Sequence, residues 1–165
     1  MTYGIALGSN LGDRAANLRR GVAMLRERVA FTALLEAPVY ETAPVDCAPG
    51  TQAFLNTVIE IASPLPPHEL HAHLKAIETA MGRPEQHERN SPRTLDLDIL
   101  YAGGLRLDDA TLTIPHPRLH QRRFVLQPLA DIRPGLRLPG FHQTIAELLS
   151  ALDDAPDSVR LHAEI

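Results

Sequence analysis

The most informative stretch of this sequence is Arg93-Thr-Leu-Asp-Leu-Asp-Ile-Leu100. Its leucines and isoleucine predict a buried strand, and Asp96 and Asp98 place two carboxylates on it. Side chains alternate across a strand, so these two carboxylates point to the same face. Unpaired, they would repel each other and be costly to desolvate, so we expect a cation between them. Hard oxygen ligands favour Mg²⁺, and Arg93 lies where it could meet phosphate oxygens that the same metal holds.

The segments before this stretch alternate between strand and helix patterns. Apolar runs predict strands, and apolar residues at helical spacing behind a capping residue predict helices. The expected strands are Tyr3 to Leu7, Phe31 to Tyr40, Phe54 to Ile61 and Leu95 to Tyr101, and the expected helices are Asp13 to about Arg28 and His68 to Met81. This β-α-β-β-α-β order predicts a ferredoxin-like α+β sandwich, in which an antiparallel sheet carries both helices on one face.

The last third of the chain adds C-terminal elements to this core. We expect Gly103-Gly104 to turn the fourth strand into a short hairpin, a short strand near Leu126, and a terminal helix from about Gln143 to Leu152. Since no linker-like segment separates these parts, we expect residues 1–165 to form one domain.

The composition narrows the class of protein. The chain has 165 residues, a formal net charge of −4 and one cysteine, Cys47. The acidic balance argues against a general nucleic-acid binder, and a lone cysteine excludes an internal disulfide framework and fits a reducing compartment. Neither a signal pattern nor a membrane-length apolar run is present. We therefore expect a soluble cytoplasmic protein without a nucleic-acid or membrane partner.

Two further groups of residues could carry chemistry. His116, within Pro115-His-Pro117, and Arg122 could bind phosphate oxygens, although a rigid turn with a solvated basic rim explains the same residues. Phe54 and Phe124, with Asn56 beside Phe54 on one strand face, would suit a flat heteroaromatic ring, although most aromatic residues belong to the core.

Three other features are expected to be structural. The loop Gly8-Ser-Asn-Leu-Gly12 leads from strand to helix, but it lacks a P-loop lysine and the spacing of a dinucleotide fingerprint. His68, His71 and His73 favour a solvated helix face over a zinc site, because no further ligand supports one. Cys47 has no activating base that would make it a nucleophile.

Taken together, these motifs closely resemble the 6-hydroxymethyl-7,8-dihydropterin pyrophosphokinase family over nearly the whole chain. The most specific is Pro92-Arg-Thr-Leu-Asp-Leu-Asp98. The others are Gly8-Ser-Asn-Leu-Gly12, Tyr40-Glu-Thr-Ala-Pro44, Phe54-Leu-Asn56, Glu78 with Gly82-Arg83, Pro115-His-Pro117 and Arg122-Arg-Phe124. The resemblance implies transfer of the β,γ-pyrophosphoryl group of ATP to the pterin hydroxymethyl oxygen, with AMP leaving, in folate biosynthesis.

The resemblance also implies a role for each matching residue. Asp96 and Asp98 would hold two Mg²⁺ ions that bridge the ATP phosphates, and the phosphates would be contacted by Arg83, Arg93, His116 and Arg122. Glu78 and Thr113 would lie at the nucleotide. The pterin pocket would be formed by Thr42, Val45, Phe54, Asn56 and Phe124, with the two phenylalanines on either side of the ring.

Some positions depart from the commonest family pattern. They are Ala43, Glu85, Asn90 and Thr111, and they concern outer phosphate contacts and loops more than the aspartate pair. Arg89 could compensate for the missing loop arginine at position 85. We expect a monomer that acts on small molecules. The alternatives are a diverged paralogue that binds pterin or nucleotide without efficient transfer, and a ferredoxin-like interaction module, which the scarcity of aromatics disfavours for RNA.

Overall fold

The computed structural model describes residues 1–42, 52–82, 94–153 and 158–163. It combines helices with an antiparallel sheet, as predicted for the broad fold class. The strands are β1 (Thr2–Ser9), β2 (Thr32–Glu36), β3 (Val39–Thr42), β4 (Phe54–Ala62), β5 (Asp96–Ala102), β6 (Leu107–Asp108), β7 (Thr113–Ile114) and β8 (Val159–Ala163). The helices are α1 (Arg14–Arg28), α2 (Pro67–Ala80), α3 (Arg123–Ile132) and α4 (Ile145–Ser150), and a 3₁₀ turn spans Leu119–Gln121.

Within the described residues, the main sheet has six strands. Five of them lie in the order β5-β1-β4-β3-β8, and β2 also pairs with β4. Each pairing is antiparallel. The strand that carries Asp96 and Asp98 therefore lies at one end of this order, with β1 as its neighbour.

The two predicted helices form where their end signals place them. The Asp13 side chain accepts a hydrogen bond from the backbone N–H of Ala16, which caps α1. Pro67 occupies the first turn of α2, where its missing N–H costs nothing. Gly82 follows α2 with φ +100°, a left-handed conformation that favours glycine as a helix terminator.

Apolar clusters cover both faces of the sheet. On one face, α1 and α2 pack on strand residues such as Ile5, Leu55 and Ile99. On the other face, α3 and α4 pack on Val58 and Leu100. Within the described parts of the chain, no helix is long and apolar enough to cross a membrane.

A polar cluster lies on the face covered by α3 and α4, at one end of the sheet, and joins the buried Tyr101 and Glu60 to the half-exposed Arg133. The Tyr101 hydroxyl donates to Glu60 Oε2 at 2.5 Å, and Arg133 Nη2 donates to Glu60 Oε1 at 2.6 Å. Gly4 lies on β1, between Glu60 on β4 and Tyr101 on β5. The glycine leaves space for the Tyr101 ring, because a β-carbon at position 4 would lie 2.2 Å from it. Burial alone would raise the pKa of Glu60, but the bonds from Arg133 and Tyr101 outweigh it and hold that pKa below its ordinary value.

The segment expected as one strand, Phe31 to Tyr40, is two strands. β2 and β3 both pair with β4, and Ala37 and Pro38 separate them. The Thr57 hydroxyl bonds to the carbonyls of these two residues, which supports the break. Pro38 has no N–H to contribute to a continuous ladder.

The C-terminal expectations were only partly right. The strand expected near Leu126 is wrong, because that residue lies in α3, where Val125, Leu126 and Leu129 are buried at helical spacing. The chain after Gly103-Gly104 forms β6, which pairs with β7 and not with β5, so the expected hairpin is also wrong. The terminal helix is the shorter α4, and β8 follows it.

Candidate active site

Asp96 and Asp98 lie on the same face of β5, as the alternation predicts. Asp98 is opposite Ala6 and Asp96 is opposite Gly8 on β1. Leu97, between them, packs in the cluster under α1 and α2, so the two carboxylates face the other way. Both residues are half-buried at an edge of the sheet, which places two carboxylates together on one surface.

Asn56 lies at the same level of the sheet as Asp96, two strands away. It lies opposite Gly8, which in turn lies opposite Asp96. The backbones of Asp96 and Asn56 are therefore two strand spacings apart, a distance of about 10 Å. A β-carbon at Gly8 would lie 2.9 Å from Asn56 Oδ1 and 3.7 Å from the Phe54 ring. The glycine therefore leaves the space that the amide fills.

Thr42 and Phe54 adjoin this amide. They lie opposite each other on β3 and β4, and the Asn56 side-chain NH₂ donates to Thr42 Oγ1. Thr42 and Asn56 are buried, while Phe54 is half-buried. A hydroxyl, an amide and an aromatic ring thus form one cluster at the end of β4, which is a combination suited to a flat polar ring.

His116 is fixed beside β5 by the backbone. Its N–H donates to the carbonyl of Leu100 at 2.8 Å. The N–H of Arg118 donates to His116 Nδ1 at 3.2 Å, so a neutral ring carries its proton on Nε2. Burial lowers the pKa of His116, the nearby Arg122 and Arg118 lower it further, and Asp98 and Asp96 raise it. The net effect favours a neutral imidazole that offers an N–H donor.

Arg122 and Phe124 stand at the start of α3. The Arg122 guanidinium carbon lies 5.5 Å from the centroid of the Phe124 ring, within cation–π distance. Because the charge of Arg122 also affects His116, these side chains belong to one neighbourhood. The predicted phosphate contacts and the predicted pterin ring contact are therefore adjacent here.

The two phenylalanines do not stack directly on each other. In the described part of the chain, the one pair of rings in contact is His120 with Phe141, at 5.3 Å. A ring held between Phe54 and Phe124 stays a prediction.

Glu78 is buried and binds the strand backbone. The N–H of Leu97 donates to Glu78 Oε2 at 2.7 Å, and Lys75 Nζ lies 3.3 Å from the Glu78 carboxylate. Glu78 thus supports β5 between the two aspartates. Its predicted contact with the nucleotide stays a prediction.

Thr113 lies on β7, where its hydroxyl donates to Asp108 Oδ1 at 3.2 Å. Thr113 and His116 both line a cavity of about 380 Å³. Sequence reasoning did not single out three other residues of its lining, which are Arg106, His120 and Phe141. They lie in segments without a periodic pattern, and no motif marks them.

Some predicted residues lie outside the described part of the chain. They are Val45, Arg83 and Arg93 among the site residues, together with Ala43, Glu85, Arg89 and Asn90. Thr111 is described and exposed, and its backbone N–H donates to Asp109 Oδ1 at 2.9 Å.

The aspartate pair fits a magnesium ion that is shared with a phosphate ligand. Mg²⁺ is usually held by one or two carboxylates plus water and phosphate oxygens. Across residues 1–42, 52–82, 94–153 and 158–163, no group of three or more His, Cys, Asp or Glu side chains could hold a metal ion. Two half-buried carboxylates without a closed cage match the shared kind of site.

Residues 4–134 match the model of the family described as 7,8-dihydro-6-hydroxymethylpterin-pyrophosphokinase (HPPK). The chain belongs to this family. The matched range contains the aspartate pair, His116, Arg122 and Phe124, so the resemblance seen in the sequence is confirmed.

Relatives of the HPPK family support the same conclusion. A 2-amino-4-hydroxy-6-hydroxymethyldihydropteridine pyrophosphokinase from Bacillus subtilis is 44% identical over 128 residues, covering 78% of this chain and 75% of the relative. A protein of the same name from Methylorubrum extorquens is 36% identical over 149 residues, 90% of this chain and 92% of the relative. A mitochondrial folate synthesis bifunctional protein from Arabidopsis thaliana is 44% identical over 128 residues, which are only 23% of its length.

Solved structures share the fold. The HPPK-DHPS protein in complex with substrates superposes with a TM-score of 0.68 at 14% identity, covering 91% of this chain and 44% of that one. The HPPK-DHPS A437G protein from Plasmodium falciparum with pteroate gives a TM-score of 0.64 at 15% identity, covering 90% and 42%. This chain therefore corresponds to less than half of each of those chains.

Proposed function

We propose that this protein transfers the pyrophosphoryl group of ATP to the hydroxymethyl group of 6-hydroxymethyl-7,8-dihydropterin and releases AMP, in folate biosynthesis. The observation that carries the proposal is the family match over residues 4–134, which includes the Asp96-Leu-Asp98 strand. Two relatives that align over most of their length are named as pyrophosphokinases of this substrate. A diverged paralogue without transfer is not favoured by these relationships.

In this reaction the pterin hydroxyl oxygen forms a bond to the β-phosphorus. The bond from that phosphorus to the α,β-bridging oxygen breaks, AMP leaves with the electron pair, and the hydroxyl proton is released. Such a transfer depends on in-line positioning and on neutralisation of developing charge. The main contribution of the protein is therefore to hold the two substrates in line.

Asp96 and Asp98 would hold the metal, and we propose two Mg²⁺ ions. When bound, these ions neutralise phosphate charge and lower the pKa of the attacking hydroxyl, so a protein base is not required. The half-buried carboxylates on one strand face support this role.

His116 and Arg122 would bind phosphate oxygens. The Nε2–H of a neutral His116 is a directed donor, and Arg122 adds a fixed positive charge close by. From the sequence, Arg83 and Arg93 would complete the phosphate contacts, and Glu78 and Thr113 would lie at the nucleotide.

The cluster at the end of β4 would bind the pterin. The amide of Asn56, held by Thr42 and accommodated by Gly8, can hydrogen-bond the edge of the ring. Phe54 and Phe124 would contact its faces, and Val45 would line the pocket.

We further propose that β1 to β5 with α1 and α2 form a ferredoxin-like core. The strand order β5-β1-β4-β3 and the packing of both helices on one face support it. We also propose that residues 1–165 act as one domain, as a monomer, in the cytoplasm and without a nucleic-acid partner. The lone Cys47 and the net charge of −4 support the last two points.

Product analysis with ATP, Mg²⁺ and the hydroxymethyl-dihydropterin tests the function. We expect AMP and pterin diphosphate to appear one-for-one, with D96N as the background control. ADP would point to an ordinary kinase and overturn the proposal. Binding of pterin without turnover would identify a diverged paralogue instead.

A further inference from the structure

Two side chains of α2 hold the backbone of β5 at Leu97, between Asp96 and Asp98. Lys75 Nζ donates to the carbonyl of Leu97 at 3.1 Å, and the Leu97 N–H donates to Glu78. β5 is at the end of the sheet order, so its outward backbone groups need partners other than a strand. Lys75 and Glu78 supply both partners at this one residue.

Lys75 also brings a positive charge to the aspartate pair. Its Nζ lies 3.9 Å from Asp98 Oδ1 and 3.3 Å from the Glu78 carboxylate. The Glu78 side chain is only 5% exposed, whereas those of Lys75 and Asp98 are 41% and 37% exposed. One ammonium group therefore serves a buried carboxylate and a half-exposed one, of which the latter is a proposed metal ligand.

We infer that Lys75 is a positioning residue with a second effect: it is a built-in counter-charge that weakens the binding of a divalent cation to Asp96 and Asp98. The inference rests on the proposed function, because it takes these aspartates as the metal pair. A fixed positive charge next to a ligand oxygen stabilises the metal-free carboxylates and repels an incoming cation.

The consequence is that metal binding depends on the nucleotide. Without ATP, the cation meets a pair of carboxylates of which Lys75 already partly neutralises Asp98. With ATP, the phosphate oxygens add ligands and negative charge that outweigh the ammonium group. Because of Lys75, the metal should bind weakly to the free protein and more tightly when the nucleotide is bound.

Two substitutions separate the charge from the support of the strand. Lys75→Gln removes the charge but keeps an N–H donor for the Leu97 carbonyl and for Glu78. Lys75→Arg keeps the charge and the donors. Mn²⁺ serves as the probe, with free Mn²⁺ measured by electron paramagnetic resonance in protein without nucleotide and with α,β-methylene-ATP, whose α,β bridge resists the proposed cleavage.

Without nucleotide, we expect K75Q to bind Mn²⁺ about tenfold more tightly than the wild type, and K75R to stay within about twofold of it. With α,β-methylene-ATP the difference should shrink. The metal-free K75Q should also unfold at a lower temperature, because the ion pair between Lys75 and the buried Glu78 carboxylate is lost. K75Q/E78Q should recover part of that loss, and its comparison with E78Q alone carries the binding test if K75Q does not fold.

Equal Mn²⁺ affinities in the wild type, K75Q and K75R would overturn the inference. Weaker Mn²⁺ binding by K75Q would also overturn it, because support of the strand would then be the one role left for Lys75. In either case the proposed function would stand. Failure of the wild type to bind Mn²⁺ even with α,β-methylene-ATP would overturn the assignment of Asp96 and Asp98 as the metal pair.

Discussion

Asn56 occupies the space that Gly8 leaves on the neighbouring strand. A β-carbon at position 8 would lie 2.9 Å from Asn56 Oδ1, closer than real side chains pack. Gly8, the first residue of the sequence motif, therefore shapes the proposed pterin site, because the absence of its side chain lets Asn56 on the adjacent strand β4 take its position. This glycine is required by the side chain opposite it, in addition to any role of the loop that follows.

We expect Gly8→Ala to displace the Asn56 amide and to weaken pterin binding by about 1 kcal/mol, the value of one hydrogen bond. Binding of ATP should change little. Gly104→Ala is the matched control, because that position has open space around it and no positive φ. Calorimetric titration of each ligand checks this, and an equal loss for both ligands would contradict it.

Asp96→Ala and Asp98→Ala should each abolish turnover and leave the fold largely intact, because both carboxylates are half-exposed at a sheet edge. Asp96→Asn and Asp98→Asn, which keep the shape, should still lower kcat at least about 100-fold through lost charge. Asp153→Asn, an exposed change outside the site, serves as the control. Circular dichroism and steady-state kinetics provide the measurements. Near-full activity of either variant at low Mg²⁺ would disprove the two-metal assignment.

Phe124→Leu should weaken pterin binding more than nucleotide binding. Leucine preserves most of the apolar packing of this half-buried residue on the α3 side of the sheet, but it removes the flat ring. Lost stacking costs about 1 kcal/mol. Phe31→Leu makes the same change beside Arg26 in the other apolar cluster, and we expect normal pterin affinity there. If both variants bound pterin equally well, the ring of Phe124 would have no part in the pocket.

The local signals in the sequence predicted the site-bearing strand and the first two helices. Alternation placed Asp96 and Asp98 on one face, and Asp13, Pro67 and Gly82 marked helix ends. These features depend on neighbouring residues only, so a single sequence contains enough information to predict them.

The features that the sequence did not predict depend on contacts between residues far apart in the chain. A short strand was expected near Leu126, yet burial against the sheet makes this segment helical. The pairing of β8 with β3 joins segments more than 100 residues apart. Lys75 reaches a backbone carbonyl at Leu97, and carbonyls leave no mark in a residue pattern. Such contacts follow from the packed sheet and not from local propensity.

Glu60→Gln should reduce stability at neutral pH but not in acid. Above the ordinary carboxyl pKa of 4.5, the ionised Glu60 contributes fully through Arg133 and Tyr101, because its folded-state pKa lies lower. As the pH falls through that lower pKa, the folded state takes up a proton and the contribution is lost. We expect E60Q to be less stable by about 2 kcal/mol at pH 7, with the difference closing towards pH 3.

Urea unfolding at a series of pH values measures this difference directly. Glu36→Gln, an exposed carboxylate on β2, is the control and should differ little from the wild type at any pH. A gap between wild type and E60Q that stayed constant from pH 7 to pH 3 would mean that the charge of Glu60 is not what links β4 to Arg133.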